Sequence, residues 1–408
     1  LRILIQSINY PPESISTGKY NGEMAEWLAA KGHQVTMITA PPYYPQWQIW
    51  KGYSAVTYSV EIIHQVKVVR CPLWVPQKPS TFKRILHLLS FTLSAAPVVF
   101  WQIVKEQPDI VIVIQPYFFA APWIRLVSLF SKSKIWLHIQ DYEIDTAFEL
   151  GFLKLKWLRC FATLIESRLL RSVDRVSTVS SRMMERLSLK GVCPEKTFFF
   201  PNWVDTQTIF PLDSNEVFRQ QLGLTAENFV ALYAGNMGVK QGLDLIIKAA
   251  KQLIDHKHIV FVLCGEGAQR KQLLTEAQGL NNIKWIPLQP YKQLNQLLNI
   301  ADVHLLPQRE DAADLVMPSK LSGMLASGRP VLTTAHQETQ VAEIVKNAGL
   351  VVPPNQVDLF VEALLKLASD TEKRILWGKQ ARTIAIQQWD KERILTQFEQ
   401  GLLNCIEI

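Results

Sequence analysis

Cysteine is scarce in this chain and has no pairing pattern. Five thiols in 408 residues, Cys71, Cys160, Cys193, Cys264 and Cys405, are odd in number and far apart, with no Cys-x-x-Cys and no paired histidine spacing. A disulfide framework and a zinc site are thereby disfavoured, and a reducing cytosol is the expected setting. Low-complexity tracts and repeats of fixed short period are also missing. With 48% hydrophobic and 19% charged residues, disorder and collagen-like architecture are excluded. The opening Leu1-Arg2-Ile3-Leu4-Ile5 is strand-like, and no cationic stretch with an apolar segment and cleavage site marks it as a secretory signal. The loop after that strand has no Gly-x-Gly-x-x-Gly, which leaves a nicotinamide dinucleotide site poorly supported.

What is present is length for two domains, each with its own core, and an uneven charge. Net charge is +7. Residues 1–205 hold 23 Lys/Arg against 15 Asp/Glu, and residues 206–408 hold 20 against 21. The excess lies wholly in the first half, which suits an anionic membrane, a phosphorylated substrate, nucleic acid, or no charged partner at all.

Along the chain, Arg2–Asn9 reads as a buried strand, residues 10–18 as a loop, residues 21–31 as a helix and 34–39 as a second strand, a βαβ unit. Ser16, Thr17, Gly18 and Lys19 stand at that helix start. Residues 41–53 are too rich in proline and aromatics for a regular element and read as an ordered functional loop. Strands are expected around 60–64, 66–70, 109–114, 134–140, 174–178 and 197–200. Residues 85–104 carry a long apolar helical pattern interrupted by Ser90, Thr92, Ser94 and Pro97. It fits a core helix, a helix lying on a membrane surface, or a span. Residues 152–159, with Lys154, Lys156 and Arg159 among bulky apolar side chains, add to the surface option.

A linker near 211–215 is followed by a second alternation of strands and helices, with strands at 229–233, 259–263, 283–286, 303–306, 331–333 and 350–352. Two α/β domains of doubly wound type follow, and ligands in such sheets sit outside the carboxyl ends of the strands. Glycines gather there: Gly235 and Gly238 after one strand, Gly265 and Gly267 after the next. Pro318, Ser319 and Lys320 open a helix after another, where free amides, a hydroxyl and an ammonium converge. Bare backbone and helix starts of this kind fit a phosphate-rich ligand.

These motifs, in this order, resemble the GT-B glycosyltransferases of family 4, in the branch that acts in capsule, colanic-acid-type or O-antigen assembly. The resemblance runs over nearly the whole chain. It rests on Asn9-Tyr10-Pro11-Pro12-Glu13 with Gly18, His138-Ile139-Gln140-Asp141, Pro201-Asn202-Trp203-Val204-Asp205, Gly235-Asn236-Met237-Gly238 with Gln241-Gly242, Cys264-Gly265-Glu266-Gly267, and Pro318-Ser319-Lys320 with Ala326-Ser327-Gly328-Arg329-Pro330. It implies two Rossmann-like domains facing across a cleft: residues 1–205 for the acceptor, 206–385 for the nucleotide-sugar, and a helix at 386–408 packing back on the first domain. It implies a retaining transferase without a metal cofactor, and the chain has no Asp-x-Asp; Asp141, Glu143 and Asp145 lack the glycine of a calcium loop, with Thr146 in its place.

By that resemblance the donor is held by Gly18, Gly235, Asn236, Gly238, Lys240, Gly265, Gly267, Arg270, Pro318, Ser319 and Lys320. Lys320 acts on the leaving phosphate, Asp141 or His138 beside the sugar with Asp141 favoured at the strand end, and Glu13 and Lys19 in orientation. The chain departs from the family at Gly323 and Leu315, where its two spaced glutamates stand, and at Asn236 and Gln241, where it has arginine and lysine. The implied partners are a nucleotide-sugar, a polyprenyl-diphosphate-linked saccharide and the cytoplasmic surface of the inner membrane, with no nucleic acid. A sugar-nucleotide epimerase of similar fold and a non-catalytic partner of a polysaccharide complex are the alternatives.

Overall fold

The computed structural model describes residues 1–13, 17–142, 156–213, 215–310 and 318–407; the side chains of residues 81, 115, 156–159 and 240 lie outside that description. Two compact units emerge, Leu1–Pro201 with Ile394–Ile408, and Asn202–Arg393.

In the first unit, eight strands form one sheet: β1 (Arg2–Ser7), β2 (Gln34–Thr39), β3 (Ser59–Ile63), β4 (Val66–Arg70), β5 (Ile110–Gln115), β6 (Lys134–Ile139), β7 (Arg175–Thr178) and β8 (Thr197–Phe199), in the order β3-β4-β2-β1-β5-β6-β7-β8. All neighbours are parallel except β3 with β4. The central strands are continuous apolar runs, Ile-Leu-Ile in β1 and Ile-Val-Ile-Val-Ile in β5, because helices cover both faces. Residues 41–53 form no regular element. Arg70, 2% exposed, ties that region down by donating to the Ala40 carbonyl (3.0 Å) and the Pro11 carbonyl (2.6 Å) while pairing with Glu61.

The apolar stretch predicted at 85–104 forms the helix Thr81–Trp101, continued by a wide turn over Gln102–Glu106. Phe91, Ala95, Val99 and Ile103, spaced by four, are buried in the core. Phe82, Leu86, Leu93, Phe100 and Trp101 point to solvent. Residues Phe82–Glu106 are long and apolar enough to cross a membrane by length and composition, with one third of the most apolar window buried in the unit. The core reading applies to one side of this helix, and the opposite side is apolar and exposed. The Lys154–Arg159 patch lies outside the described side chains.

The second unit holds six parallel strands, β9 (Phe229–Ala234), β10 (Ile259–Cys264), β11 (Ile283–Ile286), β12 (Val303–Leu306), β13 (Val331–Thr334) and β14 (Gly349–Val352), in the order β11-β10-β9-β12-β13-β14. Numbered within the unit this is 3-2-1-4-5-6, and the order in which strands are added reverses between β9 and β12. Arg382 binds the start of this unit to its helix Ser319–Ala326 by donating to the carbonyls of Thr206, Ile209 and Ala326 (2.7 to 2.9 Å). The segment expected to return as 386–408 is divided. The helix Thr371–Trp389 belongs to the second unit, and the helix Lys391–Glu407 joins the first from Ile394 onward. There Phe398 stacks on Phe200 (centroids 4.0 Å, planes 8° apart) and meets Trp136 edge-on.

Candidate functional site

In the first unit Glu13 follows the carboxyl end of β1, and Gly18 and Lys19 stand in the first turn of the helix Thr17–Ala30. Glu13 is 2% exposed and its carboxylate accepts from Asn9 Nδ2 (2.8 Å) and from the backbone amides of Tyr43 (2.6 Å) and Tyr44 (2.7 Å). Burial raises its pKa against these donors. Glu13 thus anchors the 41–53 loop internally. Gly18 is needed for the same packing, since a Cβ there would lie 2.8 Å from the Glu13 carbonyl oxygen. Lys19 sits 3.7 Å from Glu23 and 5.5 Å from the Tyr20 ring centroid.

At the end of β6, His138 and Asp141 part company. His138 is 3% exposed; its Nδ1 lies 2.9 Å from Ser177 Oγ, its Nε2 2.8 Å from Gln140 Nε2, and its ring 4.9 Å from that of Phe200. Burial pushes its pKa down to about 3, so it is neutral, and both ring nitrogens are occupied. His138 is thus held in the core by its own hydrogen bonds. Asp141 is exposed beyond the strand end. Glu143 and Asp145 lie outside the described residues.

The second unit brings its expected residues together. The Gly235 amide donates to the Cys264 carbonyl (2.9 Å), and a Cβ on Gly265 would lie 1.9 Å from the Gly235 carbonyl oxygen. Gly265 (φ +153°) and Gly267 (φ +156°) have backbones that disfavour a side chain, and a Cβ on Gly267 would meet Met237 O at 2.5 Å and Asn236 Oδ1 at 2.7 Å. The ends of β9 and β10 therefore meet as bare backbone. Gly238 lies over the Asn236 and Gln241 side chains.

Lys320 enters this cluster from the first turn of the helix Ser319–Ala326, whose N-cap is Pro318. Its Nζ donates to Tyr233 Oη (3.1 Å) and lies 4.2 Å from that ring's centroid, while a Cβ on Gly235 would come within 3.7 Å of it. Tyr233 Oη in turn donates to the Asn236 carbonyl (2.5 Å). Among the described residues no carboxylate lies within ion-pair distance of Lys320, and burial pushes its pKa down to about 7. An anion beside the glycines would restore the proton and gain a charge-assisted hydrogen bond.

The other expected residues are placed less directly. Ser319 and Asn236 are exposed; Arg270 opens the helix Arg270–Glu276, its amide on the Gly267 carbonyl (3.1 Å) and its Nε 3.5 Å from Glu266. Lys240 is in the short turn Val239–Gln241, and its side chain is outside the description. At Gly323 a Cβ would meet only Leu298 Cδ1 at 3.7 Å, so a Cβ is accommodated at the position where the family resemblance leads one to expect glutamate. Leu315 lies outside the described residues. One residue was not anticipated. Tyr233, a single hydroxyl in an otherwise apolar strand one residue from its end, was the legible signal.

Two doubly wound units of Rossmann type in one chain define the GT-B class of glycosyltransferase. Sucrose-phosphate synthase of Thermosynechococcus elongatus superposes with a TM-score of 0.76 at 17% identity, over 99% of this chain and 98% of that one. HepE of Anabaena in complex with UDP and glucose does so at 0.70 and 15%, over 98% and 99%. At these identities the likeness is one of fold. Residues 17–203 match the family described as glycosyl transferase 4-like domain, and residues 214–384 the glycosyl transferases group 1. WcaI of Escherichia coli (strain K12), a glycosyl transferase assigned to colanic acid biosynthesis, is 40% identical over 415 residues, 98% of each chain. The chain belongs to this family of glycosyltransferases.

Proposed function

We propose that this glycosyltransferase is a retaining enzyme of exopolysaccharide assembly. It moves a sugar from a nucleoside diphosphate to a saccharide carried on polyprenyl diphosphate, peripherally at the cytoplasmic face of the inner membrane. The observation that carries the reading is the Lys320 amine, desolvated, without a carboxylate partner and facing the bare backbone of Gly235. The name of the WcaI relative supports the pathway, and the UDP and glucose bound by HepE support the donor class.

Cleavage of the anomeric bond places negative charge on the departing diphosphate and positive charge on the sugar. Lys320 and the amides at Ser319 and Lys320 meet the first, and they do so more strongly as the charge grows. Gly235, Gly265 and Gly267 let the diphosphate approach the backbone. With these groups carrying the leaving charge, no metal is required, and turnover is expected to survive chelation by EDTA. Asp141, exposed at the end of β6, is the candidate beside the sugar. The exposed apolar side of the helix Thr81–Trp101, with Lys83, Arg84 and Lys105 along it, is the candidate membrane surface.

A thermal-shift panel of UDP-, GDP- and dTDP-sugars tests the donor site. One nucleotide-sugar is expected to stabilise the wild type and to lose that effect in Lys320→Met; no response to any of them defeats the reading. Flotation with vesicles of anionic lipid tests the membrane surface, and absence of association at both low and high salt defeats it.

A further inference from the structure

The first unit contains a second opening, apart from the strand-end loop of Glu13. A cavity of about 560 Å³ lies between the aromatic loop, the segment after β4 and the helix Thr81–Trp101, walled by Trp47, Ile49, Val56, Leu73, Trp74 and Val75. Its volume is that of a small-molecule site. Trp47 holds a left-handed backbone (φ +55°), a conformation bulky residues rarely keep without surrounding restraint. The rings of Tyr43 (5.6 Å) and His87 (5.2 Å) pack against it.

The two hydroxyls of the cavity wall are already used. Ser94 Oγ donates to the Pro72 carbonyl (2.6 Å), Ser90 Oγ donates to the His87 carbonyl (2.7 Å) and accepts from the Trp74 amide (3.1 Å). The other polar side chains of the wall, Gln48 and Gln77, are exposed, and the rest of the lining is mainly apolar, which suits an aliphatic chain better than a saccharide. The rim is apolar and exposed, Val56 at 80% and Trp74 at 46%, and the exposed Leu86 and Leu93 belong to the same helix as Ser90 and Ser94.

Charge in this stretch of the sequence is mostly of one sign. Between residues 41 and 105 the chain has seven Lys/Arg and a single acid, Glu61, which is bound to Arg70. Arg84 lies 5.5 Å from the Trp47 ring centroid, and among the described residues no carboxylate is within ion-pair distance of it. An apolar pocket with an unneutralised guanidinium beside it matches an aliphatic chain that ends in an anionic head.

We propose that this cavity receives the isoprenyl chain of the lipid-linked acceptor, with Arg84 on its diphosphate. The proposal rests on the acceptor class given under Proposed function and assigns it a place in the first unit.

The test uses the full chain and a farnesyl diphosphate bearing a terminal diazirine. Labelling is expected in peptides covering residues 44–56 and 72–77, displaced by farnesyl diphosphate and not by inorganic diphosphate or lyso-phosphatidylglycerol. Ser94→Trp, which fills the cavity, and Val56→Asp, a change at an exposed rim position that leaves the core alone, are each expected to cut labelling by about tenfold, and Arg84→Ala by about fivefold. Stabilisation by nucleotide-sugar should be unchanged in all three. Labelling elsewhere, equal displacement by either control, or undiminished labelling in both Ser94→Trp and Val56→Asp overturns the proposal. If the label lands here yet no polyprenyl-linked acceptor is glycosylated, the acceptor reading fails and the isoprenyl site stands. If such an acceptor is glycosylated equally well by Val56→Asp, the site fails and the reading stands.

Discussion

The two units share a strand order, 3-2-1-4-5-6 within each once the β3 hairpin and the final β8 are set aside, yet the carboxyl ends of their sheets are built for different purposes. In the first, Glu13 and His138 near the strand ends are held by the protein itself, while Asp141 stands exposed. Glu13 accepts three internal hydrogen bonds, and both nitrogens of His138 are engaged. In the second, Lys320 is desolvated beside bare glycine backbone, with a phenol as its polar partner. Buried polar groups that are satisfied confer rigidity, whereas a buried cation without an anion is a cost that a ligand can relieve. The same topology thus supplies one scaffold end and one receiving end, and the hydrogen-bond inventory rather than the residue type distinguishes them.

The largest expected effect comes from removing the receiving cation. Lys320→Met should lower transfer and donor hydrolysis together by about 100-fold or more, the scale of losing one preorganised charge-stabilising donor. Steady-state kinetics with the stabilising nucleotide-sugar checks this, and near-normal turnover would take Lys320 out of the site. The same variant has a stability signature. The folded-state pKa of about 7 lies below the ordinary lysine value of 10.5. Between those values the unfolded chain holds a proton that the folded chain does not, so the stability contribution rises with pH over that window and the cost is full below pH 7. Thermal unfolding from pH 6 to 10 should therefore show Lys320→Met gaining on the wild type at the acid end and losing that gain at the alkaline end.

Glycine substitutions sharpen the contrast from the backbone side. Gly265→Ala drives a methyl into the Gly235 carbonyl, so donor affinity should fall by about tenfold or more. Gly18→Ala presses on the Glu13 carbonyl instead, and should loosen the 41–53 loop while leaving donor affinity within about twofold. Calorimetric titration of both variants with the same nucleotide-sugar separates them. Equal losses of donor affinity would mean that the first unit's loop also holds the donor.

Much of this was legible in the residues. Alternating apolar runs and helical segments announce two doubly wound sheets, and the glycines at 235, 265 and 267 with Lys320 mark the strand ends that the fold brings together. What was not legible has one cause. The partners of Glu13 and His138, the amides of Tyr43 and Tyr44 and the hydroxyl of Ser177, are about 30 to 40 residues away, and long-range satisfaction is invisible to local pattern. The helix Thr81–Trp101 offered core, surface and span readings because periodicity counts apolar residues without saying which ones meet a neighbour.

A smaller effect is expected at Tyr233. Tyr233→Phe keeps the ring beneath Lys320 and removes the hydroxyl that joins its amine to the Asn236 carbonyl. One such hydrogen bond is worth about 0.5–1.5 kcal/mol, so KM for the donor should rise by about two- to tenfold with kcat less affected. With one stabilising partner gone, Lys320 should lose its proton at lower pH, and the alkaline limb of the kcat/KM profile should move to lower pH. An unchanged profile would leave Tyr233 as packing only.

His138 gives the smallest effect on catalysis and the sharpest test of the scaffold end. A neutral imidazole with both nitrogens engaged can neither take a proton from an incoming acceptor nor stabilise a sugar cation. His138→Gln should therefore hold kcat within about threefold while costing about 1–3 kcal/mol of stability, because Ser177 and Gln140 lose a buried partner. Asp141→Asn makes the complementary change at an exposed position, with little cost in stability and a larger loss of turnover. Measuring kcat and the urea midpoint of both variants places each on one of two axes. Loss of turnover without loss of stability in His138→Gln would move the histidine from the scaffold to the chemistry. It would also require that the β6 end open on substrate binding, since no route to His138 exists while Ser177, Gln140 and Phe200 enclose it.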